Sequence, residues 1–572
     1  MPPLVADGKL HISAAEKAEC LNTAFSTQCS ARSSTNCPSL KEYSGPSFSF
    51  TPIASHAVHG YLTKLNIWKA TGNDEVCHRL LKGCADGLCE SLCYIFNLSL
   101  AEGVYPNTWK TAIVQPVYKQ KGERCNPKNY RPIALLPSVS KVFEHFVHKQ
   151  LLEHCMEIKA IPDCQFGFLP KRSTVWQLLE VVNDWEEAID KGHTIHTCFV
   201  DVAKAFDRVD HRLLLQKLPG IGILGTELSW FSDYLTDRNI CTSVEHVRSN
   251  IKTVTSGVPQ GSVLGPLLFL IYFRDLPSVV QSTCKMFADD TLVYDTHCCG
   301  QRSSPCCRIS SDLRAVSSWA SDWNTEFNAQ KSVQVTLSHN GHNSSNTESA
   351  CIDDATVPSA TSTKHLGVTV TQSLKWSPHV RTTLHRLNHR VFILKRLAYR
   401  TGSASLVCTL YKGLVRPILE YAGVVWDACL KSDILALERT QLSVARSIIR
   451  ESRKLMSNIA VLRTIGWPTL AWRRRRQKLL CLWLLLRGEG PPGLRQSLPS
   501  SISARSDYSF RNSNSLAFPV CLKSRRLGSF LPSTVLIWNT LPSSIISSAS
   551  PSSFLYHLDT HFQSDRYTFG LT

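Results

Sequence analysis

Two short stretches bring carboxylates to places where apolar strands should end. In CFVDVAKAFD, Asp201 follows Phe199 and Val200; in MFADDTLVY, Asp289 and Asp290 stand together inside an apolar run that reads as one buried strand. A buried, unpaired carboxylate takes up a proton rather than stay charged, so such a pair calls for a cation. Adjacency alone says little, since roughly three or four adjacent acidic pairs are expected at this composition and four occur. The context discriminates. Two strands that each deliver a carboxylate to one sheet edge make a hard-oxygen site suited to Mg²⁺, which keeps several water or phosphate oxygens. Two such ions activate an attacking hydroxyl and stabilise a leaving oxygen in phosphoryl transfer, and they also neutralise the aspartates. Between the strands lies SGVPQGSVLGPLLFLIYF (Ser256 to Phe273). Gly257, Gly261 and Gly265 there permit close backbone approach, and Pro266 suits the first turn of a following helix.

The elements that must position these groups follow from periodicity. TAIVQPVYK, HTCFVDV and KMFADDTLVY read as strands, whereas SVSKVFEHFVHKQLLEHC and TVWQLLEVVNDWEEAIDKG read as amphipathic helices. The alternation predicts an α/β or α+β core with helices packed on one sheet. From about residue 376 to 487 the pattern is almost wholly helical and basic, with four consecutive arginines, Arg473 to Arg476. Residues 22–50 are rich in Ser, Thr and Pro and read as a linker, and no independent domain is visible before about residue 55. A second Ser/Pro-rich break, Gly488 to Ser506, precedes a short tail.

The 572 residues suffice for two to four domains, and 43% hydrophobic content excludes a disordered chain. A net charge of +18, with pI near 9.1, points to a polyanionic partner, nucleic acid first. The 22 cysteines read as reduced thiols, because a chain of this size needs no disulfide staples and MPPLVADGKLHISAAEK has no apolar signal region. The expected compartment is nucleus or cytoplasm. The most apolar span, LLCLWLLL, is far short of the roughly 20 residues a bilayer requires, so no membrane partner is expected. Cys84, Cys89 and Cys93 lack a partner histidine or CxxC pair and read as core thiols rather than a zinc site. The paired cysteines of Thr296 to Cys307 read as an inserted loop rather than a metal knuckle.

FVDVAKAFD, SGVPQGSVLGPLLF, FADD, FNAQKS and HLGV, in that order, resemble the palm motifs of reverse transcriptases. More closely they resemble the non-LTR, LINE-type, jockey-like retrotransposon enzymes, with support from WKTAIVQPVYKQKG, NYRPIALLPSVSKVFE and QFGFLPKRST upstream. The similarity runs from about residue 55 to beyond 450. It implies an α+β right-hand polymerase, with fingers and an antiparallel palm sheet over residues 55–371 and an all-helical, basic thumb over 372–487. Residues 1–54 would then be a linker-like lead and 488–572 a linker and tail.

The implied activity is RNA-directed DNA polymerisation, extending a DNA primer with dNTPs on an RNA template. Asp201 and Asp289 would hold two Mg²⁺ ions, Mn²⁺ being a substitute, with Asp290 a weaker ligand and the Val202 carbonyl a further oxygen. Phe206 would stack under the incoming sugar and reject a 2′-hydroxyl. Pro259, Gln260 and Gly261 would line the nucleotide and template pocket, and Arg131, with Lys119 or Lys121, would hold the triphosphate. Lys331 would protonate departing pyrophosphate, His365 to Val370 would form the primer-grip hairpin, and Arg473 to Arg476 would grip duplex phosphates. The bland readings are a core Phe206, a solvated basic face for Arg131 and Lys119, and a surface Lys331. Asp207 and Asp210 read as helix N-terminal charges rather than ligands.

Relatives of this type carry an endonuclease ahead of the polymerase, so the chain is expected to be a 5′-truncated or separate copy. The first alternative is a catalytically inactive, nucleic-acid-binding relic. A viral RNA-directed RNA polymerase is disfavoured by Phe206 and by Phe-Ala-Asp-Asp in place of Gly-Asp-Asp.

Overall fold

The structure, a computed structural model, describes residues 1–29, 43–297, 305–339, 350–353, 355–450, 456–501 and 515–571. The side chains of the paired cysteines between Thr296 and Cys307 fall outside this part. Helix and sheet are mixed, and the chain divides into two compact units that interleave in sequence. The first comprises residues 1–168, 201–281 and 312–328; the second comprises 169–200, 282–311 and 329–572.

The first unit contains a five-stranded sheet in which Tyr130–Leu135, Thr111–Tyr118, Arg238–Val244 and Val247–Arg248 lie side by side and Lys252–Val254 also pairs with Arg238–Val244. Thr111–Tyr118 runs antiparallel to Tyr130–Leu135 and parallel to Arg238–Val244. The lead segment is not a bare linker. Leu4–Ala6 and Lys9–His11 form a hairpin, and the helix Ala14–Gln28 packs Leu21 and Phe25 against Val114, Tyr130 and Val244 of the sheet. Its start was legible in the sequence, because Ser13 and Glu16 form a reciprocal capping box. Only polar composition argued for a linker, and composition says nothing about which face of a helix is apolar.

The helix Ala85–Glu102 buries Leu92, Phe96 and Leu100, with Phe96 stacked on Phe143 at 4.7 Å between ring centroids. This corrects the reading of its cysteines as core thiols: Cys84 is exposed, and Cys89 and Cys93 are half-buried beside the apolar stripe. The Cys93 thiol donates to the Ile53 carbonyl.

The second unit is built on a four-stranded, wholly antiparallel sheet in the order Val333–Leu337, Thr194–Val200, Asp290–His297, Thr283–Phe287. The helix Thr174–Asp190 covers it, with the Trp185 ring 5.8 Å from Tyr294 and 6.4 Å from Phe199. Leu292 and Val335 of this sheet share one core with Leu387, Trp426 and Leu479 of the helical half, which is why sheet and helices cluster together across some 300 residues of sequence. The C-terminal segment belongs to the same core. The helices Phe530–Trp538 and Pro551–His561 pack against Leu470–Leu486, and Phe554 meets Trp483 at 5.4 Å and Trp538 at 6.2 Å. Residues 515–571 thus complete the helical unit, although the Ser/Pro-rich break ahead of them reads as its end. Among the described residues no helix is long and apolar enough to cross a membrane.

Trp538 is 1% exposed. Trp538→Ala is expected to cost about 3–5 kcal/mol through lost burial and the cavity left behind. Denaturant unfolding followed by Trp fluorescence checks this; a change under 1 kcal/mol would mean that the tail is not integral to the fold.

Candidate active site

In the second unit, Val200 stands opposite Thr291 in the ladder between Thr194–Val200 and Asp290–His297. Phe287 pairs with Asp290 across a two-residue turn formed by Ala288 and Asp289. The end of one strand and the turn of the hairpin therefore lie at the same sheet edge, and Asp201 is the next residue of the chain beyond Val200. MFADDTLVY is thus not one buried strand but a hairpin, bent where Ala288 takes the left-handed backbone conformation (φ 55°). A non-glycine residue there is uncommon and is sustained by the surrounding ladders. The bend answers the charge problem in part. Asp289 is half-buried and Asp290 exposed, so water reaches both.

Lys331 and the His365 to Val370 hairpin also belong to this unit. Lys331 is exposed and precedes by two residues Val333, whose ladder partner is Phe199. Ser362–His365 and Val368–Thr371 form a hairpin closed by Leu366 (φ 42°) and Gly367 (φ 86°), the paired positive φ values of a twisted two-residue turn. The Tyr421 hydroxyl donates to the Leu366 carbonyl at 2.7 Å and holds that turn.

The first unit organises the remaining residues around the segment that follows Asp201. Val202 bridges Phe327, with the Asn328 amide donating to the Asp201 carbonyl and the Ala203 amide to the Glu326 carbonyl. This pattern turns the Val202 carbonyl away from Phe327, and it accepts no hydrogen bond among the described residues. The segments 206–211 and 256–260 are then tied together. The Val258 amide donates to the Phe206 carbonyl, the Gly257 amide to the Val209 carbonyl, and the Gln260 Nε2 to the Asp207 carboxylate at 2.7 Å. Gly261 (φ 135°) is required, because a Cβ there would lie 2.3 Å from the Ala134 carbonyl oxygen. That contact seats the Pro259–Gly261 turn against the strand that carries Arg131, which is itself exposed. Phe206 is half-buried, with its ring stacked on Phe269 at 4.6 Å and edge-on to Phe168 at 6.0 Å. It is neither a fully buried core residue nor a free ring.

Asp210 behaves as expected, capping the helix His211–Lys217 through the Leu213 amide. Asp207 does not. It is buried, and burial pushes its carboxyl above the ordinary range despite the Gln260 hydrogen bond and nearby Lys204, Lys119 and Arg208. The Lys204 ammonium is held below the usual lysine range by partial burial and then by Arg208, Lys119 and Lys128, and Lys204, Lys119 and Arg208 also act on Asp207. Lys204 and Lys128 were the missed members; Lys204 was visible inside FVDVAKAFD. Lys121, expected with them, is exposed in the turn beyond the Thr111–Tyr118 strand, and Lys119 Nζ donates to the Lys128 carbonyl at 2.7 Å.

The expectation for Arg473 to Arg476 is overturned. Arg473 pairs with Glu420, Arg474 with Asp427 at 2.8 Å and Arg476 with Asp559 at 2.8 Å, while the Arg475 guanidinium lies 4.8 Å from the ring centres of both Phe562 and Phe569. These side chains bind the rest of their own unit. A run of charge in sequence does not reveal whether its partners lie in solvent or within the fold.

Residues 118–370 match the family described as reverse transcriptase (RNA-dependent DNA polymerase), in keeping with the order of motifs. The chain is 30% identical over 431 residues to the RNA-directed DNA polymerase from mobile element jockey of Drosophila melanogaster, an alignment covering 72% of this chain and 46% of the relative. The corresponding protein of Drosophila funebris is 29% identical over 408 residues, covering 69% of this chain and 44% of the relative. A Pol polyprotein from the type-1 retrotransposable element R1 of Bradysia coprophila is 24% identical over 431 residues, covering 72% and 41%. The chain spans a little under half the length of these relatives.

Asp207→Asn keeps an acceptor for Gln260 and removes a buried charge. Because the native carboxyl titrates above its unfolded value, the charged form destabilises the fold at neutral pH, and that penalty fades as pH falls through the folded value toward the unfolded one. The variant is expected to raise Tm at pH 7 and to match wild type near pH 3.5; a variant less stable at pH 7 would refute this sign.

Proposed function

We propose that this chain is the polymerase of a non-LTR, LINE-type retrotransposon, copying RNA templates into DNA by extending a DNA primer with dNTPs. One observation carries the reading: the two motifs holding Asp201 and Asp289 lie on adjacent strands whose register brings their acidic ends to one sheet edge. The family match and the order of the other motifs support it.

Asp201 and Asp289 are the residues to hold two Mg²⁺ ions, or Mn²⁺ in their place, with Asp290 a weaker ligand and the Val202 carbonyl a further oxygen. The donor set fits. All four groups offer hard oxygens, the Val202 carbonyl accepts no hydrogen bond among the described residues, and the turn at Asp289 admits water. Among the described residues no group of three or more His, Cys, Asp or Glu is arranged to hold a metal ion by itself. When bound, such ions supply activation of the primer hydroxyl and charge stabilisation on the departing phosphate.

The protein's own groups do the rest. Phe206, whose ring stacks on Phe269, would stack under the incoming sugar and exclude a ribose 2′-hydroxyl. Pro259, Gln260 and Gly261 shape the nucleotide and template pocket, with Asp207 orienting the Gln260 amide. Arg131, Lys119 and Lys121 bind the triphosphate, joined by Lys204 and Lys128, and Lys331 delivers a proton to pyrophosphate. In this reading residues 55–371 supply fingers and palm, residues 372–487 the thumb, and His365 to Val370 the primer grip.

For the duplex, the helix Ser377–Thr401 replaces the arginine run. It buries Val380, Leu387, Leu394 and Ala398 and exposes Arg381, Arg386, Arg390, Lys395, Arg396 and Arg400 without one acidic residue. None of these six is ion-paired among the described residues, and Phe392 and Tyr399 stand exposed among them. Such a face suits sequence-independent phosphate contact.

Primer extension on poly(rA)/oligo(dT) with Mg²⁺ tests the proposal. Wild type should incorporate dTTP, and Asp289→Asn should lose about 10³-fold or more of that rate. Retained binding without incorporation would identify an inactive relic, and a preference for UTP an RNA polymerase. Phe206→Val should raise ribonucleotide use; an unchanged dTTP/UTP ratio would remove the sugar gate. Arg386→Ala and Arg396→Ala should each weaken duplex binding and flatten its log–log salt slope by about 1, a result that a solvated, uninvolved face would not produce.

A further inference from the structure

One joint in the second unit is held from far along the chain. Only Gln372 to Trp376 stand between the hairpin of Ser362–His365 and Val368–Thr371 and the basic helix Ser377–Thr401. Leu374 in this joint is fully buried and takes the left-handed backbone conformation (φ 47°), which a bulky residue rarely adopts. Its carbonyl cannot be met by the first turn of the helix, because Pro378, four residues on, has no N–H. Arg525 meets it instead. Arg525 Nη2 donates to the Leu374 carbonyl at 2.7 Å and Nη1 to the Ser373 carbonyl, although 151 residues separate Arg525 from Leu374. A planar guanidinium bound to two successive carbonyls fixes both peptide planes at once.

The tail segment that carries Arg525 is anchored in turn to the helix Thr174–Asp190, which covers the four-stranded sheet. The Asp190 carboxylate accepts from the Leu522 and Lys523 amides, each at 2.8 Å, and Lys523 Nζ donates to the Ile189 carbonyl at 3.1 Å. Arg526, 6% exposed, donates to the Asn183 carbonyl at 3.1 Å. Glu186 of the same helix gives Arg525 an opposite charge nearby. Residues 522–526 thus form a strap from the helix behind the sheet to the joint. Without Arg525, Leu374 is free to leave its costly conformation, and a change of backbone angle at one joint residue swings the helix against the hairpin.

We propose that Arg525 is a positioning residue for the primer–template duplex, fixing the hairpin that grips the primer relative to the helix whose cations meet the duplex phosphates. The inference rests on the polymerase reading of those two elements. It concerns how the duplex is held, not the chemical step.

The test compares wild type with Arg525→Gln, whose side chain is too short to reach either carbonyl, and with Arg525→Lys, which keeps the charge, the length and a donor head. Binding of a labelled poly(rA)/oligo(dT) duplex to the full chain should weaken about tenfold in Arg525→Gln and return to within about threefold of wild type in Arg525→Lys. In primer extension, KM for the duplex should rise in step with that loss while KM for dTTP stays within about twofold. A merely structural contact would instead lower Tm and the active fraction, reducing kcat with both KM values unchanged. That pattern, or duplex binding in Arg525→Gln equal to wild type, overturns the proposal. Should Arg525→Gln not fold, Asp190→Asn gives the second reading, since it weakens the hold on the strap amides and leaves Arg525 in place. Duplex binding should then be at least about threefold weaker, with faster amide exchange across residues 362–376; failure of either overturns the proposal. Duplex binding needs no catalysis. A wild type that binds through Arg525 without incorporating dTTP therefore fails the polymerase reading alone, whereas incorporation with binding indifferent to Arg525 fails this inference alone.

Discussion

The antiparallel ladder that sets Val200 opposite Thr291 is the constraint on which the rest of the structure depends. Side chains alternate between the faces of a strand, so a slip of one residue would send Leu292 and Tyr294 away from Trp185 and the shared core, and would shift the hairpin turn relative to the end of the neighbouring strand. Burial holds the register. Leu292, Val335 and Ile195 are fully buried, and none can change face without losing its packing. An apolar sheet thereby fixes the edge at which its acidic residues emerge.

Charge is handled differently in the two units. At the sheet edge a turn lets water reach Asp289 and Asp290. Around Asp207, deeper inside, a carboxylate is retained under a desolvation penalty because it holds the amide of Gln260 and faces lysines. Around Leu470–Leu486, arginines are drawn inward by Glu420, Asp427 and Asp559 and by the rings of Phe562 and Phe569, which couples the last residues of the chain to the helical core. Hence two basic helices of similar composition have opposite fates. Ser377–Thr401 keeps its cations in solvent because, among the described residues, no acidic neighbour pairs with them, whereas Leu470–Leu486 spends most of its own internally.

Much of the candidate site was legible from short-range pattern. The strand leading into Asp201, the close approaches at Gly257 and Gly261, the proline-started helix Gly265–Tyr272 and the hairpin at Leu366–Gly367 all follow from local backbone preference, which neighbouring residues largely decide. The bend at Ala288 was not legible, because alanine carries no turn signal and the left-handed conformation is imposed by the ladders on either side. The lysine cluster was only half visible, since Lys128 and Lys204 are 76 positions apart and meet through the fold.

By itself the sequence determined the ordered motifs, the mixed helix and sheet character, the excess of positive charge and the identity of the carboxylates that an edge site would use. These are properties of residue type and spacing. Tertiary structure alone decided that sheet and C-terminal helices share one core, that residues 4–28 and 515–571 are integral to their units, and which arginines are spent internally. The physical reason is that counter-charges and packing partners are chosen by proximity in space, and residues hundreds of positions apart become neighbours only when the chain has folded.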